Sequence, residues 1–179
     1  DDNKATLWNL NRQEIQTFSG HTDSPDGYPT HVRTVAFCPD GRQVMTGSDD
    51  YSAKLWKLDG REDKTFAHDG FGVSSVAISP DGRMGLTGSW DNTAILWDLN
   101  GDKIQTFSGH TEGVTSVAFT PDEKMVLTGS WDSTAKLWDL KGHEIQTFSG
   151  HTDRIYSVDV SPNGKMALTG SGDNTTKIW

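Results

Sequence analysis

The sequence predicts an all-β chain of tandem repeats, and three observations lead to that fold class. Four tryptophans recur at intervals of 41 residues, at Trp56, Trp97, Trp138 and Trp179. Four prolines recur at the same interval, at Pro39, Pro80, Pro121 and Pro162. Each interval contains short β-branched and aromatic runs separated by turn residues, with no helical periodicity. These features indicate one unit of four short strands that is repeated along the chain.

The repeats are also alike in detail. Leu86–His110 and Leu127–His151 are identical at 20 of 25 positions. The segment Ile-Gln-Thr-Phe-Ser-Gly-His occurs three times. A fixed period near 41 residues with four strands per unit favours a β-propeller over a sandwich or a single barrel. The chain then holds about 4.4 repeats, and we expect a segment of a larger ring.

The period divides the chain into five expected units. Residues 1–19 form a partial blade with a third and a fourth strand, and residues 20–66 form a blade with a loop insertion. Residues 67–107 and 108–148 are complete blades, and residues 149–179 supply three further strands. To close the ring, this segment needs the remainder of its own propeller or a second copy.

The third complete repeat shows the predicted strands in order. They are Val114–Phe119, Met125–Gly129, Thr134–Trp138 and Ile145–Phe148. In the other repeats a Pro-Asp-Gly or Pro-Asn-Gly turn joins the first two strands, where glycine supplies a positive φ. Because Glu123 stands at that glycine position, we expect a variant turn in this repeat.

The hairpin between the third and fourth strands has its own turn signal. Lys141-Gly142 occupies it in the third repeat, and Asn100-Gly101 and Asp59-Gly60 occupy it in the earlier ones. These dipeptides predict a two-residue turn of type I′.

Charge and composition exclude several classes of function. The 16 basic and 25 acidic residues give a net charge of −9, which argues against binding duplex nucleic acid. No apolar run approaches the roughly 20 residues that cross a bilayer, so we expect no membrane association. The single cysteine, Cys38, excludes a disulfide within the chain and is expected to be a small buried residue. We expect a cytoplasmic protein with no cofactor and no metal.

Paired residues give the chain a resemblance to a known family. Gly-His pairs occur at Gly20-His21, Gly109-His110 and Gly150-His151, and Trp-Asp pairs occur at Trp97-Asp98 and Trp138-Asp139. The sequence resembles the WD40 repeat family in these pairs over nearly its whole length. The departures are Ala67-His68, Trp8-Asn9 and Trp56-Lys57.

The resemblance implies a structural tetrad in each blade. Its members are a His before the first strand, a Ser or Thr in the second, an Asp in the next turn and a Trp in the third. The matching sets are His21, Thr46, Asp50, Trp56; His68, Thr87, Asp91, Trp97; His110, Thr128, Asp132, Trp138; and His151, Thr169, Asp173, Trp179. Asp2 stands at the same offset from Trp8. We expect a hydrogen-bond chain from indole through hydroxyl and imidazole to carboxylate.

The same side chains could suggest a hydrolase triad, but the repeat pattern favours a structural role. A catalytic set is expected once, whereas this cluster recurs in every repeat, and the tryptophan accounts for the hydroxyl. The sequence therefore predicts a protein that is not an enzyme.

The resemblance also implies partner-binding positions on one face of the ring, called the top face. They lie at the start of each first strand, two residues further on, and just before the tetrad Asp. The predicted contacts are His31, Arg33, Asp49, Trp90, Trp131, Arg154 and Tyr156, with Gly72, Ser74, Gly113, Thr115 and Gly172 at the remaining positions. Trp90 and Trp131 are either interface anchors or relics of repeat duplication. Tyr28 is a further candidate anchor, within an insertion of seven residues between His21 and the first strand.

Together these features predict a protein–protein interaction scaffold. We expect a rigid propeller that presents its top face to a protein partner, as a sensor or scaffold region of a larger protein. The highly similar tandem repeats resemble those of bacterial multidomain WD-repeat proteins. The alternative is a lectin-like propeller that binds a small ligand through two exposed tryptophans.

Overall fold

A computed structural model describes residues 3–179, and they form strands and no helix. Asp1 and Asp2, the latter at the tetrad offset from Trp8, lie outside the described residues. The strands are β1 (Lys4–Trp8), β2 (Glu14–Ser19), β3 (Val32–Phe37), β4 (Gln43–Ser48), β5 (Ser52–Lys57), β6 (Glu62–Ala67), β7 (Val73–Ile78), β8 (Met84–Ser89), β9 (Thr93–Asp98), β10 (Lys103–Ser108), β11 (Val114–Phe119), β12 (Met125–Ser130), β13 (Thr134–Asp139), β14 (Glu144–Ser149), β15 (Ile155–Val160), β16 (Ala167–Ser171) and β17 (Thr176–Ile178).

The strands form five antiparallel sheets in chain order. Strands β1 and β2 make a two-stranded leading sheet. Blades 1, 2 and 3 are the four-stranded sheets β3–β6, β7–β10 and β11–β14, and blade 4 is the three-stranded sheet β15–β17. The sheets pack side by side without closing into a ring. The all-β class and the four-stranded blades are thus confirmed.

Each blade packs on the next through an aromatic pair. The Phe of one fourth strand lies against the tetrad Trp of the following blade, and the Phe107 and Trp138 ring centroids are 5.9 Å apart. Phe66 and Trp97 make the same contact at 5.5 Å. The repeated Ile-Gln-Thr-Phe-Ser-Gly-His segment therefore contributes two side chains to the following blade. The Phe packs in its core and the His belongs to its tetrad. Burial of these large rings supplies much of the hydrophobic stabilisation between blades.

The turn at Glu123 corrects one sequence-based expectation. Glu123 has a φ of 59°, close to the 66° of Gly41 and the 72° of Gly82 at the equivalent positions. Its N–H donates to the Thr120 carbonyl at 2.9 Å, as Gly82 N–H donates to Ser79 at 2.8 Å. The prediction of a variant turn was wrong, because the flanking strand register imposes the same left-handed conformation on a non-glycine residue.

The hairpins between third and fourth strands also differ from the prediction. Gly142 has a φ of 89°, but Lys141 is not in the left-handed region. The Gly142 N–H donates to Asp139 O, and Asp139 N–H donates to His143 O, each at 3.0 Å. This pattern is a three-residue loop that ends in a left-handed glycine, so the type I′ prediction was wrong.

Candidate partner-binding face

One hydrogen-bond chain crosses the interior of every blade. In blade 3 the Trp138 indole N–H donates to Thr128 Oγ1 at 2.9 Å. Thr128 Oγ1 lies 2.8 Å from His110 Nε2, and His110 Nδ1 lies 2.7 Å from Asp132 Oδ2. Because the hydroxyl has one proton, it accepts from the indole and donates to the imidazole, whose Nδ1–H then donates to the carboxylate. The chain of hydrogen bonds therefore gives each of these polar groups a partner.

The other three sets are joined in the same way, with one difference in blade 2. His21 and His151 each lie 2.7 Å from the tetrad carboxylate, whereas His68 lies 3.2 Å from Asp91. In blades 1, 3 and 4 the backbone N–H after the His also donates to that carboxylate, from Thr22, Thr111 and Thr152. Asp69 follows His68, and no equivalent bond joins its N–H to Asp91.

The tetrad carboxylates are held in their ionised form. Burial of Asp132 opposes ionisation, but hydrogen bonds from His110, Thr134 and the Thr111 backbone outweigh it, so the pKa of Asp132 is well below its usual range. The pKa of Asp50 is lowered in the same way, against the opposing effect of burial. Bonds that are made to the charged form favour it. These carboxylates therefore stabilise the folded blade near neutral pH.

The described residues offer little for nucleophilic or metal chemistry. The tetrad threonines are buried, and their hydroxyls are already engaged between indole and imidazole. Burial raises the pKa of the Cys38 thiol to about 11, with a smaller contribution from Asp40. Within residues 3–179 no group of three His, Cys, Asp or Glu side chains could hold a metal ion. Among the same residues, no helix is long and apolar enough to cross a membrane.

The top face is the end of the blades at which each first strand begins. It contains the loops that lead into β3, β7, β11 and β15, together with the turns after β4, β8, β12 and β16. On blade 1, Arg33 forms an ion pair with Asp49. Its Nε lies 2.9 and 2.8 Å from the two carboxylate oxygens, and its Nη2 lies 2.7 Å from Oδ2. His31 Nδ1 lies 3.3 Å from Asp49 Oδ2. The three predicted contact residues of blade 1 therefore form one cluster.

The predicted residues of blades 2, 3 and 4 form a stack that crosses two blade boundaries. The Trp90 and Trp131 ring centroids are 4.5 Å apart with a tilt of 37°. The Arg154 guanidinium lies 4.3 Å from the centroid of Trp131, within cation–π range. A side chain on Gly113 would meet Trp90 Cε3 at 2.7 Å, so glycine is required there.

This stack corrects the expectation of two exposed tryptophans. Trp90 and Trp131 are both partly buried, and Trp131 lies between an indole and a guanidinium. The interpretation as a small-ligand site with two exposed rings therefore loses its basis. The stack of these two rings with Arg154 instead links three neighbouring blades.

Three other aromatic side chains of the top face are exposed. Tyr28 is 71% exposed in the insertion, where Ser24 N–H bonds to the Tyr28 carbonyl at 3.1 Å and folds the loop. Tyr156 is 55% exposed beside Gly172, and Phe71 is 54% exposed just before Gly72. Sequence analysis missed Phe71. The equivalent position holds Glu112 and Asp153 in the following repeats, so a large apolar residue at position 71 is a departure that the sequence shows.

Acidic side chains surround these aromatic residues. Every loop that leads into a first strand carries at least one exposed carboxylate, and these are Asp23, Asp26, Asp69, Glu112 and Asp153. Of the two arginines on this face, Arg33 is already paired with a carboxylate. Part of the net charge of −9 is thus concentrated here.

Comparison with known families agrees with the fold. The family described as WD domain, G-beta repeat matches four consecutive stretches, residues 12–57, 60–98, 101–139 and 142–179. The chain therefore belongs to the WD40 repeat family. A comparison with curated proteins found no match. WD40 repeats are generally non-catalytic scaffolds for protein interactions.

Proposed function

We propose that this chain is a protein-interaction scaffold whose top face binds a protein partner with a positively charged contact surface. The observation that carries this proposal is the exposure of Tyr28, Phe71 and Tyr156 among acidic loops on one end of the blades. Exposed aromatic residues are common energetic anchors of interfaces, and the carboxylates favour and orient a basic partner.

The contact residues of this proposal are those that differ among the blades. Tyr28, Tyr156 and Arg154 reach the surface directly, and Phe71 joins them. The cluster of His31, Arg33 and Asp49 forms one side of the contact, while Trp90 and Trp131 support Arg154 from below. Because β15 holds Tyr156 and the ring of Trp131 holds Arg154, little conformational entropy of these two side chains is lost on binding.

The test is capture of partners from an extract of the source cells on the immobilised chain, followed by affinity measurement with the recovered protein. We expect Phe71→Ser and Tyr28→Ser each to weaken binding about tenfold or more, without a change in melting temperature, because both side chains are exposed in loops. Binding should also weaken as salt concentration rises, because charge complementarity contributes to it.

Arg83→Met is the control for a change on another surface of the chain. Arg83 is exposed at the opposite end of the blades and lies 3.7 Å from Asp81. Its replacement should leave binding unchanged. Full binding by both top-face variants, or an equal loss with Arg83→Met, would contradict the proposed site.

A further inference from the structure

The turn after each second strand has the same backbone conformation in all four blades. The residue that follows the tetrad carboxylate lies in the left-handed region, with φ between 63° and 72°. Blades 2 and 4 hold Asn92 and Asn174 there, a residue type that tolerates this conformation, and blade 3 holds Ser133. Blade 1 holds Tyr51 at a φ of 70°, where a bulky side chain is unfavourable. The turn itself therefore does not need a tyrosine.

The Tyr51 hydroxyl contacts the insertion that precedes β3. It donates a hydrogen bond to Asp26 Oδ2 at 2.6 Å, the short distance that is typical of a bond to a charged carboxylate. This bond raises the pKa of Tyr51, so the hydroxyl keeps its proton near neutral pH. The bulky residue in the turn of blade 1 thus joins that turn to the inserted loop.

The insertion is folded by bonds within its own residues. The N–H groups of Gly27 and Tyr28 donate to the carbonyl and the hydroxyl of Ser24, at 2.8 and 3.0 Å. The Thr30 hydroxyl donates to the Thr22 carbonyl at 2.5 Å. Because these bonds make the loop one folded unit, a contact that fixes the loop on the blade also fixes the direction of the exposed Tyr28 ring.

An open cleft of about 560 Å³ separates the insertion from the next blade. Pro25 and Asp26 of the insertion line it, as do Asp69 and Gly70 of the loop that leads into β7, and Tyr51 lines it as well. The loop of blade 2 therefore gives the insertion no support across this cleft. The bond from Tyr51 lies at the cleft and holds the insertion where packing does not.

We propose that Tyr51 is a positioning residue of the top face. Its hydrogen bond to Asp26 holds the insertion against blade 1 and fixes Tyr28 in the orientation that meets the protein partner. The left-handed conformation of Tyr51 lowers stability, but a loop that is ordered before binding loses less conformational entropy in the complex. This inference rests on the proposed function, in which Tyr28 is a contact residue.

The first measurement is the backbone order of the insertion in the free chain, from NMR relaxation of its amides. We expect order parameters of about 0.85 at Gly27 and Tyr28 in the wild type, and below about 0.6 in Tyr51→Phe, which removes the hydroxyl alone. Asp26→Asn retains an oxygen that accepts the bond and should keep the wild-type order, whereas Asp26→Ala should lose it. Wild-type order in Tyr51→Phe would overturn the proposal, and this result needs no partner.

The second measurement is the dissociation constant of the recovered partner, together with the melting temperature. Tyr51→Phe should raise the constant about three- to tenfold, because the loop is then ordered only on binding. Tyr51→Asn should raise it by a similar factor and melt no lower than the wild type, because asparagine suits the left-handed turn. A lower melting temperature in Tyr51→Asn with wild-type affinity would show a structural role only and would overturn the proposal.

Ser133→Asn is the matched control, since it changes the equivalent left-handed residue of blade 3, which has no insertion. It should change neither the order of the loop nor the affinity.

Tyr28→Ser separates this inference from the proposed function. If Tyr28→Ser weakens binding, while Tyr51→Phe disorders the loop and binds like the wild type, the positioning role is wrong and the proposed function stands. Full binding by Tyr28→Ser would instead contradict the contact at Tyr28 in the proposed function and, with it, the role of Tyr51 in binding.

Discussion

The interior and the top face of the same blades differ in how much their residues vary from one repeat to the next. In the interior, four sets of His, Thr, Asp and Trp repeat almost without change and are joined by the same hydrogen bonds. On the top face, equivalent positions hold Asp49, Trp90, Trp131 and Gly172 in successive blades. The repeated residues satisfy buried polar groups, whereas the differing ones shape a surface. The comparison indicates that the repeated residues stabilise the blades, and under the proposed function the differing residues carry recognition.

The largest expected effect is on the tetrad hydroxyl. Thr128→Val leaves the Trp138 indole N–H and His110 Nε2 buried without a partner, and each unsatisfied group costs about 1–3 kcal/mol. We expect the free energy of unfolding to fall by about 3 kcal/mol, measured by urea denaturation.

Thr115→Val is the matched control on the top face of the same blade. The Thr115 hydroxyl lies 2.9 Å from the Gly129 carbonyl and 2.7 Å from the Ile155 carbonyl, where both strands remain bonded without it. We expect a loss of about 1 kcal/mol. Equal losses for the two valine variants would remove the distinction between interior and face.

The pH dependence of stability tests the tetrad carboxylates. Since the pKa of Asp132 is lower in the folded chain than in the unfolded chain, its contribution is complete above the unfolded value of about 4 and is lost as the pH falls further. We expect the urea midpoint to drop below pH about 4. Asp132→Asn should be less stable at pH 7 and should show a shallower acid dependence.

Asp69→Asn is the control for that experiment, because Asp69 is an exposed carboxylate in the loop after His68. Its acid dependence should match that of the wild type. A wild-type slope in Asp132→Asn would show that other groups cause the acid sensitivity.

A gain in stability is expected at the end of the blades opposite the top face. Glu123 is held at a φ of 59°, where a non-glycine residue costs about 1 kcal/mol. Glu123→Gly should therefore stabilise the chain by about 1 kcal/mol in thermal or urea unfolding. Gly82→Ala, in the equivalent turn, should destabilise it by a similar amount. A neutral result for both would show that these turns are not strained.

The smallest effect is expected at the exposed ion pair of the top face. Arg33 and Asp49 are well aligned but open to solvent, and such pairs contribute about 0.5 kcal/mol or less. Arg33→Met should leave the unfolding free energy within that range in low and in high salt. A loss of unfolding free energy as large as that of Thr128→Val would show that this ion pair stabilises the fold as strongly as a tetrad residue does.

Sequence periodicity predicted the strands well because the same local pattern occurs several times along the chain. The aromatic stack and the turns were harder to predict. The contact of Trp90, Trp131 and Arg154 depends on the distance between neighbouring blades, which no single repeat encodes. The conformation of Glu123 is imposed by the strands on either side, against its own backbone preference. Phe71 was missed because the prediction used only the contact positions of the family, and Phe71 lies in the loop beside them.

The most direct test of the separation between scaffold and surface is the dissociation constant of the partner for two variants. Thr128→Val and Phe71→Ser are compared at a temperature at which both are folded. We predict a wild-type constant for Thr128→Val, and at least a tenfold increase for Phe71→Ser with an unchanged free energy of unfolding. Wild-type binding by Phe71→Ser, or an equal loss of binding in folded Thr128→Val, would contradict the separation of scaffold and surface.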